Sequence, residues 1–150
     1  MPRELLFVSA GFDLDGGGRA LAGRLLAAAC ADFAQARGLA FSALALGTGG
    51  GPPGTLYFGS DRRRLAFAAW RRQWQRRAAA CVFDLLGPAR LQSWLPAGRR
   101  APYLIPLYGI EVWSPLSKSR RRALAAAAVR FAISHYTVRR ALPFAPFLEG

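Results

Sequence analysis

Short, continuous apolar runs alternate with helical patterns along the whole chain. Five such runs occupy residues 4–10, 40–46, 80–86, 102–108 and 129–133. Unbroken apolar sequence, as opposed to an apolar/polar alternation, is typical of strands that are buried on both faces. Strands that alternate with helices favour a parallel sheet covered on both sides. The sequence therefore predicts one Rossmann-like α/β/α domain with three layers and a mainly parallel sheet.

Helical segments are predicted between these runs. In residues 19–37 the side chains of Leu21, Leu25 and Phe33 recur at helical spacing, and Gly38 can end the helix. Further helices are predicted at residues 61–78, 88–95, 117–128 and 134–142, and a glycine- and proline-rich loop at 47–54. Because proline cannot donate to a sheet ladder, Pro106 predicts an edge, a strand end or a bulge in the fourth strand.

Size and cysteine content restrict the possible classes. The 150 residues suffice for one compact domain, and with 53% hydrophobic residues the chain can bury a core. Cys30 and Cys81 lie in apolar runs and are predicted to be reduced core residues. No Cys/His cluster offers a metal site, and no metal is predicted. No apolar stretch approaches the roughly 20 residues of a spanning helix, so we expect a cytoplasmic protein, either free or peripheral on the inner face of the membrane.

Arginine dominates the charge of the chain. Lys and Arg total 21 against 8 Asp and Glu, which gives a net charge of +13 at pH 7 and a pI of about 11.5. This excess predicts an anionic partner, either nucleic acid, acidic lipid or a phosphorylated substrate. The basic residues form clusters at 62–64, 71–72, 76–77, 99–100, 120–122 and 139–140.

One predicted helix carries arginines beside tryptophans. This candidate membrane or anion surface consists of Trp70, Arg71, Arg72, Trp74, Arg76 and Arg77. Arginine can meet anionic headgroups while indole enters the bilayer interface, so the surface suits a membrane. Phosphate contacts and base stacking would also suit single-stranded nucleic acid. Because no RNA- or DNA-binding module is recognisable, nucleic acid is the second choice of partner.

A glycine-rich loop follows the first predicted strand. Gly16, Gly17 and Gly18 precede the first helix, and the free N–H groups of a helix start can bind a phosphate. The alternative is a loop that simply requires small residues. The loop is longer than a dinucleotide-binding turn, and the second strand ends without the acidic residue that would hold a ribose. No lysine followed by Ser or Thr completes a phosphate-binding loop of the Walker type.

The exit of the fourth strand carries polar residues that could lie over a cleft. Tyr108 is the last residue of the fourth run, and Gly109 and Glu111 follow it. In open parallel sheets, ligands bind outside the carboxyl ends of the strands. The alternative for this exit is a plain turn.

The last strand exit carries hydroxyl groups and a base. Ser134, Thr137 and Arg139 follow the fifth run and could contact a phosphate. The alternative for Ser134 is ordinary capping of the following helix.

These motifs together resemble a known family. Residues 7–9 with 16–18, then 108–113, then 122–124 with 133–137 are similar, in this order, to the amino-terminal domain of retaining GT-B glycosyltransferases, the glycosyltransferase family 4-like group. The resemblance implies that Gly16, Gly17 and Gly18 contact the diphosphate of a nucleotide-sugar donor. It also places Tyr108 where the family usually has histidine, and tyrosine titrates near pH 10, so Tyr108 cannot copy a histidine at neutral pH.

The resemblance further implies a division of labour between two domains. The amino-terminal domain holds a lipid-linked, glycan or other acceptor, and a carboxy-terminal domain holds the nucleotide-diphosphate sugar. The chain stops at Gly150, before the family's paired glutamates. We therefore expect the acceptor-binding half of a glycosyltransferase that is inactive without the donor-binding domain. The alternative is a non-catalytic basic α/β domain that binds nucleic acid.

Overall fold

The computed structural model describes residues 3–13 and 17–149 as alternating strands and helices. The strands are β1 (Glu4–Ser9), β2 (Ala40–Ala45), β3 (Leu56–Tyr57), β4 (Ala78–Phe83), β5 (Tyr103–Leu107) and β6 (Val129–Ala132). The α-helices are α1 (Gly17–Ala36), α2 (Arg62–Trp74), α3 (Leu86–Ala89), α4 (Lys118–Ala125) and α5 (His135–Ala141). Short 3₁₀ turns occupy Arg90–Trp94, Ala97–Arg99, Ile110–Val112 and Pro146–Glu149.

The six strands form one parallel sheet. Their order is β3-β2-β1-β4-β5-β6, and every pair of neighbours runs in the same direction. The predicted Rossmann-like fold is thereby confirmed. The order reverses between β1 and β4, so the connections on the two sides of this pair diverge. Such a reversal opens a crevice at the carboxyl ends of the strands.

Two hydrophobic clusters lie on opposite faces of the sheet. Along β1, Leu6 and Val8 belong to one cluster, whereas Leu5 and Phe7 belong to the other. Helix α1 packs on the Leu5 and Phe7 side, and α2, α3 and α4 contribute to the other side. Successive side chains of a strand point to opposite faces, so a central strand in three layers must be apolar throughout.

Both cysteines are core residues, as predicted. Cys30 and Cys81 are buried and unbonded, and they belong to different clusters. Burial raises the pKa of the Cys30 thiol to about 11. Neither side chain is therefore a thiolate at neutral pH.

Helix α2 is shorter than the sequence pattern predicted. The prediction extended the helix to residue 78, but it ends at Trp74, with Gln75 as its C-terminal cap. Arg76 follows in the left-handed region with a φ of 57°, which stops the helix because that backbone conformation cannot continue it. Strand β4 consequently starts at Ala78 and ends at Phe83, whereas the prediction was residues 80–86.

Two further strand predictions need comment. The two-residue strand β3 was not predicted, because it immediately follows the glycine- and proline-rich segment. Pro106 does not lie in an edge strand, since β5 pairs with both β4 and β6. However, β4 pairs only with Tyr103 and Leu104 of β5. Pro106 lies beyond that ladder and one residue from the strand end, where no donor is required.

A buried ion pair connects β1 to α2. The Glu4 carboxylate accepts hydrogen bonds from Arg72 Nη1 at 2.7 Å and from Ser42 Oγ at 2.5 Å. The side chains of Arg72 and Glu4 are 18% and 4% exposed. Arg72 is thus committed to a structural contact.

We predict that Arg72→Met lowers the free energy of unfolding by about 3 kcal/mol, because it leaves the Glu4 carboxylate buried without a counter-charge. Arg71→Met is the matched control: Arg71 is exposed, and its replacement should change stability by less than about 0.5 kcal/mol. Urea denaturation of both variants measures the difference, and equal losses would contradict the assignment.

Candidate functional site

A buried carboxylate ties the exits of β1 and β4 together at the reversal point of the sheet. Asp84, directly after β4, accepts a hydrogen bond from Ser9 Oγ at 2.5 Å and from the Ala10 N–H at 2.9 Å. Ser9 Oγ in turn accepts from the Gly11 N–H at 2.9 Å. Only 3% of Asp84 is exposed. The network therefore fixes the path of the chain at residues 9–11, where it leaves β1.

The environment of Asp84 shifts its protonation. Burial raises the pKa of Asp84 from 3.8 to about 6, against the opposing effects of the Ser9 and Ala10 hydrogen bonds and of the positive charge of Arg19. The carboxyl group is thus mostly ionised at neutral pH and becomes neutral in mildly acidic solution.

A cleft of about 960 Å³ lies above this network, at the carboxyl ends of β1, β2 and β4. Val8, Leu46 and Leu85 line it at these strand ends. Its aromatic residues are Phe67, Trp70 and Trp94, and its charged residues are Arg19, Arg62, Arg63, Arg90 and Arg120. All other lining residues are Ala, Gly, Leu, Pro or Val. We call this region the cationic cleft.

The arginines of the cationic cleft form no ion pairs with other described residues. They come from α1, from the start of α2, from the 3₁₀ turn after α3 and from α4. Within residues 3–13 and 17–149, the one side-chain ion pair is that of Arg72 with Glu4. Within those residues the five guanidinium groups form no ion pair with a carboxylate, although the charge of Arg19 acts on Asp84.

Helix α2 forms an aromatic wall of the cleft. Its fully buried residues are Leu65, Ala69 and Gln73, whereas Trp70 is only partly buried against the core. The rings of Phe67 and Trp70 stack with centroids 5.9 Å apart, and those of Trp70 and Trp74 with centroids 5.1 Å apart. Phe67 and Trp94 are each 61% exposed. Large apolar side chains at this exposure mark an interaction surface.

The predicted glycine loop reaches the same edge of the sheet. Gly16 lies outside the described residues. Gly17 and Gly18 are the first residues of α1, they are exposed, and no atom of a described residue outside the adjacent helix backbone lies within 4 Å of a Cβ added to either. Arg19, the next residue, lines the cationic cleft. The start of α1 is therefore open and adjacent to the cleft.

Tyr108 belongs to the same electrostatic environment. It follows β5, and burial raises its pKa, as do the negative charges of Asp84 and Glu111, whereas Arg19 lowers it. Tyr108 therefore stays protonated at neutral pH. Its backbone N–H donates to Glu111 Oε1 at 2.8 Å, so Glu111 also shapes the turn.

Gly109 is required by the turn after β5. Its φ is 143°, and an added Cβ would lie 2.6 Å from the Trp113 ring. The ring of Trp113 also meets that of Tyr136 edge-on, with centroids 5.5 Å apart. This strand exit is consequently a tightly packed turn beside the cleft.

The third predicted exit lies at the same edge of the sheet but farther from the cleft. Ser134 caps α5, and its Oγ accepts from the Thr137 N–H at 3.1 Å. Thr137 is buried, while Arg139 is exposed on α5. None of the three lines the cationic cleft. This exit follows the edge strand β6, which lies two strands away from β4 in the sheet.

The predicted basic surface divides into parts. Trp70 lines the cationic cleft, whereas Arg71, Arg72 and Arg77 line a second depression of about 960 Å³ on the other flank of α2. Trp74 lines neither depression, and the guanidinium carbon of Arg99 lies 4.9 Å from the centroid of its ring.

The sequence analysis did not single out several residues of the site. Ser9 and Asp84 were treated as strand residues, and Trp94 was not selected. A carboxylate inside the apolar run ACVFDLL was the available signal for Asp84, because carboxylates are rarely buried without partners. No local signal marks Arg90, since its place in the cleft depends on the strand order.

Comparison with known proteins adds no relative. The chain matches no protein-family model, and no curated protein shows significant similarity to it. Among the helices of residues 3–13 and 17–149, none has both the length and the apolar character needed to cross a bilayer.

The raised pKa of Asp84 predicts a pH dependence of stability. The folded chain binds this proton more tightly than the unfolded chain, so the contribution of Asp84 to the free energy of unfolding falls as the pH rises from about 4 to about 6. We expect Asp84→Asn to remove this contribution. The free energy of unfolding of the wild type minus that of the variant, measured by urea denaturation, should decline across that window and then level off.

Asp32→Asn, on the exposed side of α1, is the control for this titration. The same declining difference in both variants would show that Asp84 is not its source.

Proposed function

We propose that this chain is the acceptor-side domain of a glycosyltransferase that uses a nucleotide-diphosphate sugar. The observation that carries the proposal is the cationic cleft at the reversal point between β1 and β4. Of the motifs on which the family resemblance rests, residues 17–18 begin α1, and residues 108–113 and 134–137 follow β5 and β6, at the same carboxyl edge of the sheet as the end of β1. Residues 122–124 lie in α4.

The chemistry of the cleft supports binding of phosphorylated ligands. Guanidinium groups form paired, charge-assisted hydrogen bonds with phosphate oxygens. The open start of α1 at Gly17 and Gly18 offers N–H groups with partial positive charge at the same edge. In the complete enzyme the N–H groups at this helix start would help to position the donor diphosphate and to stabilise the charge that develops on it as it departs, while the arginines of the cleft would hold a phosphorylated acceptor.

Tyr108 has a limited role in this proposal. Its raised pKa keeps the phenol protonated, so it can donate a hydrogen bond to a sugar or phosphate oxygen but does not act as a general base at neutral pH. Retention of the anomeric configuration follows from the family resemblance alone.

We further propose that the domain works at the inner face of a membrane. The aromatic stack of α2 and the surrounding arginines support this location, because indole and guanidinium groups favour the interface of an anionic bilayer. Flotation with vesicles that contain or lack anionic lipid tests it, and equal recovery would reject it.

The test of the proposed activity is release of nucleoside diphosphate from sugar donors. We expect no release by the 150 residues alone, because the cleft is open and one domain cannot exclude water or orient both substrates. We expect release when the polypeptide encoded directly downstream is supplied together with this chain. Turnover by the 150 residues alone would contradict the acceptor-side role.

The downstream reading frame provides an independent check. The proposal requires it to encode a second α/β domain with two glutamates about two helical turns apart. An unrelated sequence there would reject the proposed activity.

Nucleic-acid binding is the second candidate function. The stacked rings of Phe67, Trp70 and Trp74 beside arginines favour it, since exposed aromatic rings can stack on bases. Preference for an oligonucleotide over anionic vesicles at equal ionic strength would select this candidate.

A further inference from the structure

We infer that the acceptor held by the cationic cleft is an amphiphile with a phosphate or diphosphate head and an apolar chain. This inference rests on the proposed function and specifies the substrate class of the same site. The arginines would hold the head, and the aromatic wall would cover the chain.

The first argument concerns hydrogen-bond acceptors. Among the described residues, the lining of the cleft contains no Asp, Glu, Asn, Gln, Ser, Thr, Tyr or His, so the side chains of these residues offer donors but no oxygen or ring-nitrogen acceptors. Sugar hydroxyls and nucleobase amino groups carry donors that need acceptors, and burying them unpaired is unfavourable. A phosphate needs only hydrogen-bond donors, and an apolar chain needs neither donors nor acceptors. The lining thus favours a ligand that combines these two groups.

The second argument concerns charge. Arg19, Arg62, Arg63, Arg90 and Arg120 face the cleft without carboxylate partners in the described part of the chain. A diphosphate group supplies several negative charges and an array of acceptor oxygens, which match converging guanidinium groups. A neutral acceptor would leave these charges uncompensated.

The third argument concerns the apolar wall. Phe67 is mostly exposed and Trp70 is only partly covered by the core. Both line the cleft, together with Trp94, Pro88 and Leu91. The volume of about 960 Å³ is at the upper end of ordinary ligand sites, which span about 300–1,000 Å³. The space therefore accommodates several isoprene units as well as a head group.

The experiment compares ligands that share a head and differ in the rest. Inorganic diphosphate, farnesyl diphosphate and uridine diphosphate are titrated into the purified chain by calorimetry at one ionic strength, with farnesyl diphosphate kept monomeric. Each buried methylene contributes up to about fourfold in affinity. We expect farnesyl diphosphate to bind at least about tenfold more tightly than either other ligand.

Matched variants locate the two parts of the ligand. Arg120→Gln should weaken farnesyl diphosphate and inorganic diphosphate alike by about tenfold, whereas Arg121→Gln, exposed on the same helix, should leave both nearly unchanged. Trp94→Ala should remove most of the advantage of farnesyl diphosphate and spare inorganic diphosphate. Phe33→Ala, exposed on α1, is its control. All four residues lie at the surface or partly exposed, and thermal unfolding of each variant verifies folding.

The outcomes separate this inference from the proposed function. Equal binding of farnesyl and inorganic diphosphate, or an advantage that Trp94→Ala does not reduce, overturns the amphiphile and leaves the transferase proposal in place. Tighter binding of uridine diphosphate that depends on Trp94 assigns the cleft to a nucleotide and likewise overturns it. The proposed activity fails separately, through the release assay and the downstream reading frame.

Discussion

The cationic cleft depends on one contact, the hydrogen bond between Ser9 and Asp84 at the carboxyl ends of β1 and β4. The connections that follow β1 and β4 diverge at the reversal of strand order, so the exits of the two strands need a contact beyond the sheet ladder. Asp84 supplies it through Ser9 Oγ and the Ala10 N–H. Because a buried carboxylate without hydrogen bonds would be strongly unfavourable, the pairing also holds Ser9 and Ala10 in one conformation. Arg19 enters the cleft only a few residues later.

Helix α2 explains why the cleft has an aromatic wall. Its core contacts are made by Leu65, Ala69 and Gln73, and Gln73 Oε1 accepts a hydrogen bond from the Ala101 N–H at 3.2 Å. Because only these three residues are fully buried, the larger aromatic side chains of α2 lie beside the buried stripe and not within it. Burial of an aromatic side chain is strongly favourable, so the chain forgoes stabilisation by keeping Phe67 and Trp94 mostly exposed. Stacking of Phe67 on Trp70 offsets part of that loss, and a bound apolar ligand would offset more.

The sequence predicted the architecture well because strands buried on both faces leave a strong signal. Continuous apolar runs located β1, β2, β4, β5 and β6 and their parallel arrangement. The signal fails at the ends of elements and for very short strands. The left-handed conformation of Arg76 prevents α2 from continuing, and β3 is too short for any periodicity. The site was partly predictable for the same reason. Strand exits can be found locally, but the convergence of Arg90 and Arg120 follows from the strand order, which one sequence does not specify.

The preference for arginine has a physical consequence for the cationic cleft. Of the 21 basic residues, 20 are arginine. Guanidinium groups are weakly hydrated and planar, so they tolerate a lining that includes aromatic side chains better than ammonium groups would. Five like charges around one cavity nevertheless repel each other, and salt screens that repulsion only in part. An anionic head group relieves the repulsion at the moment when the apolar chain covers the aromatic wall. The two halves of an amphiphile would therefore stabilise the same region of the fold by different interactions, which a purely ionic or a purely apolar ligand cannot do.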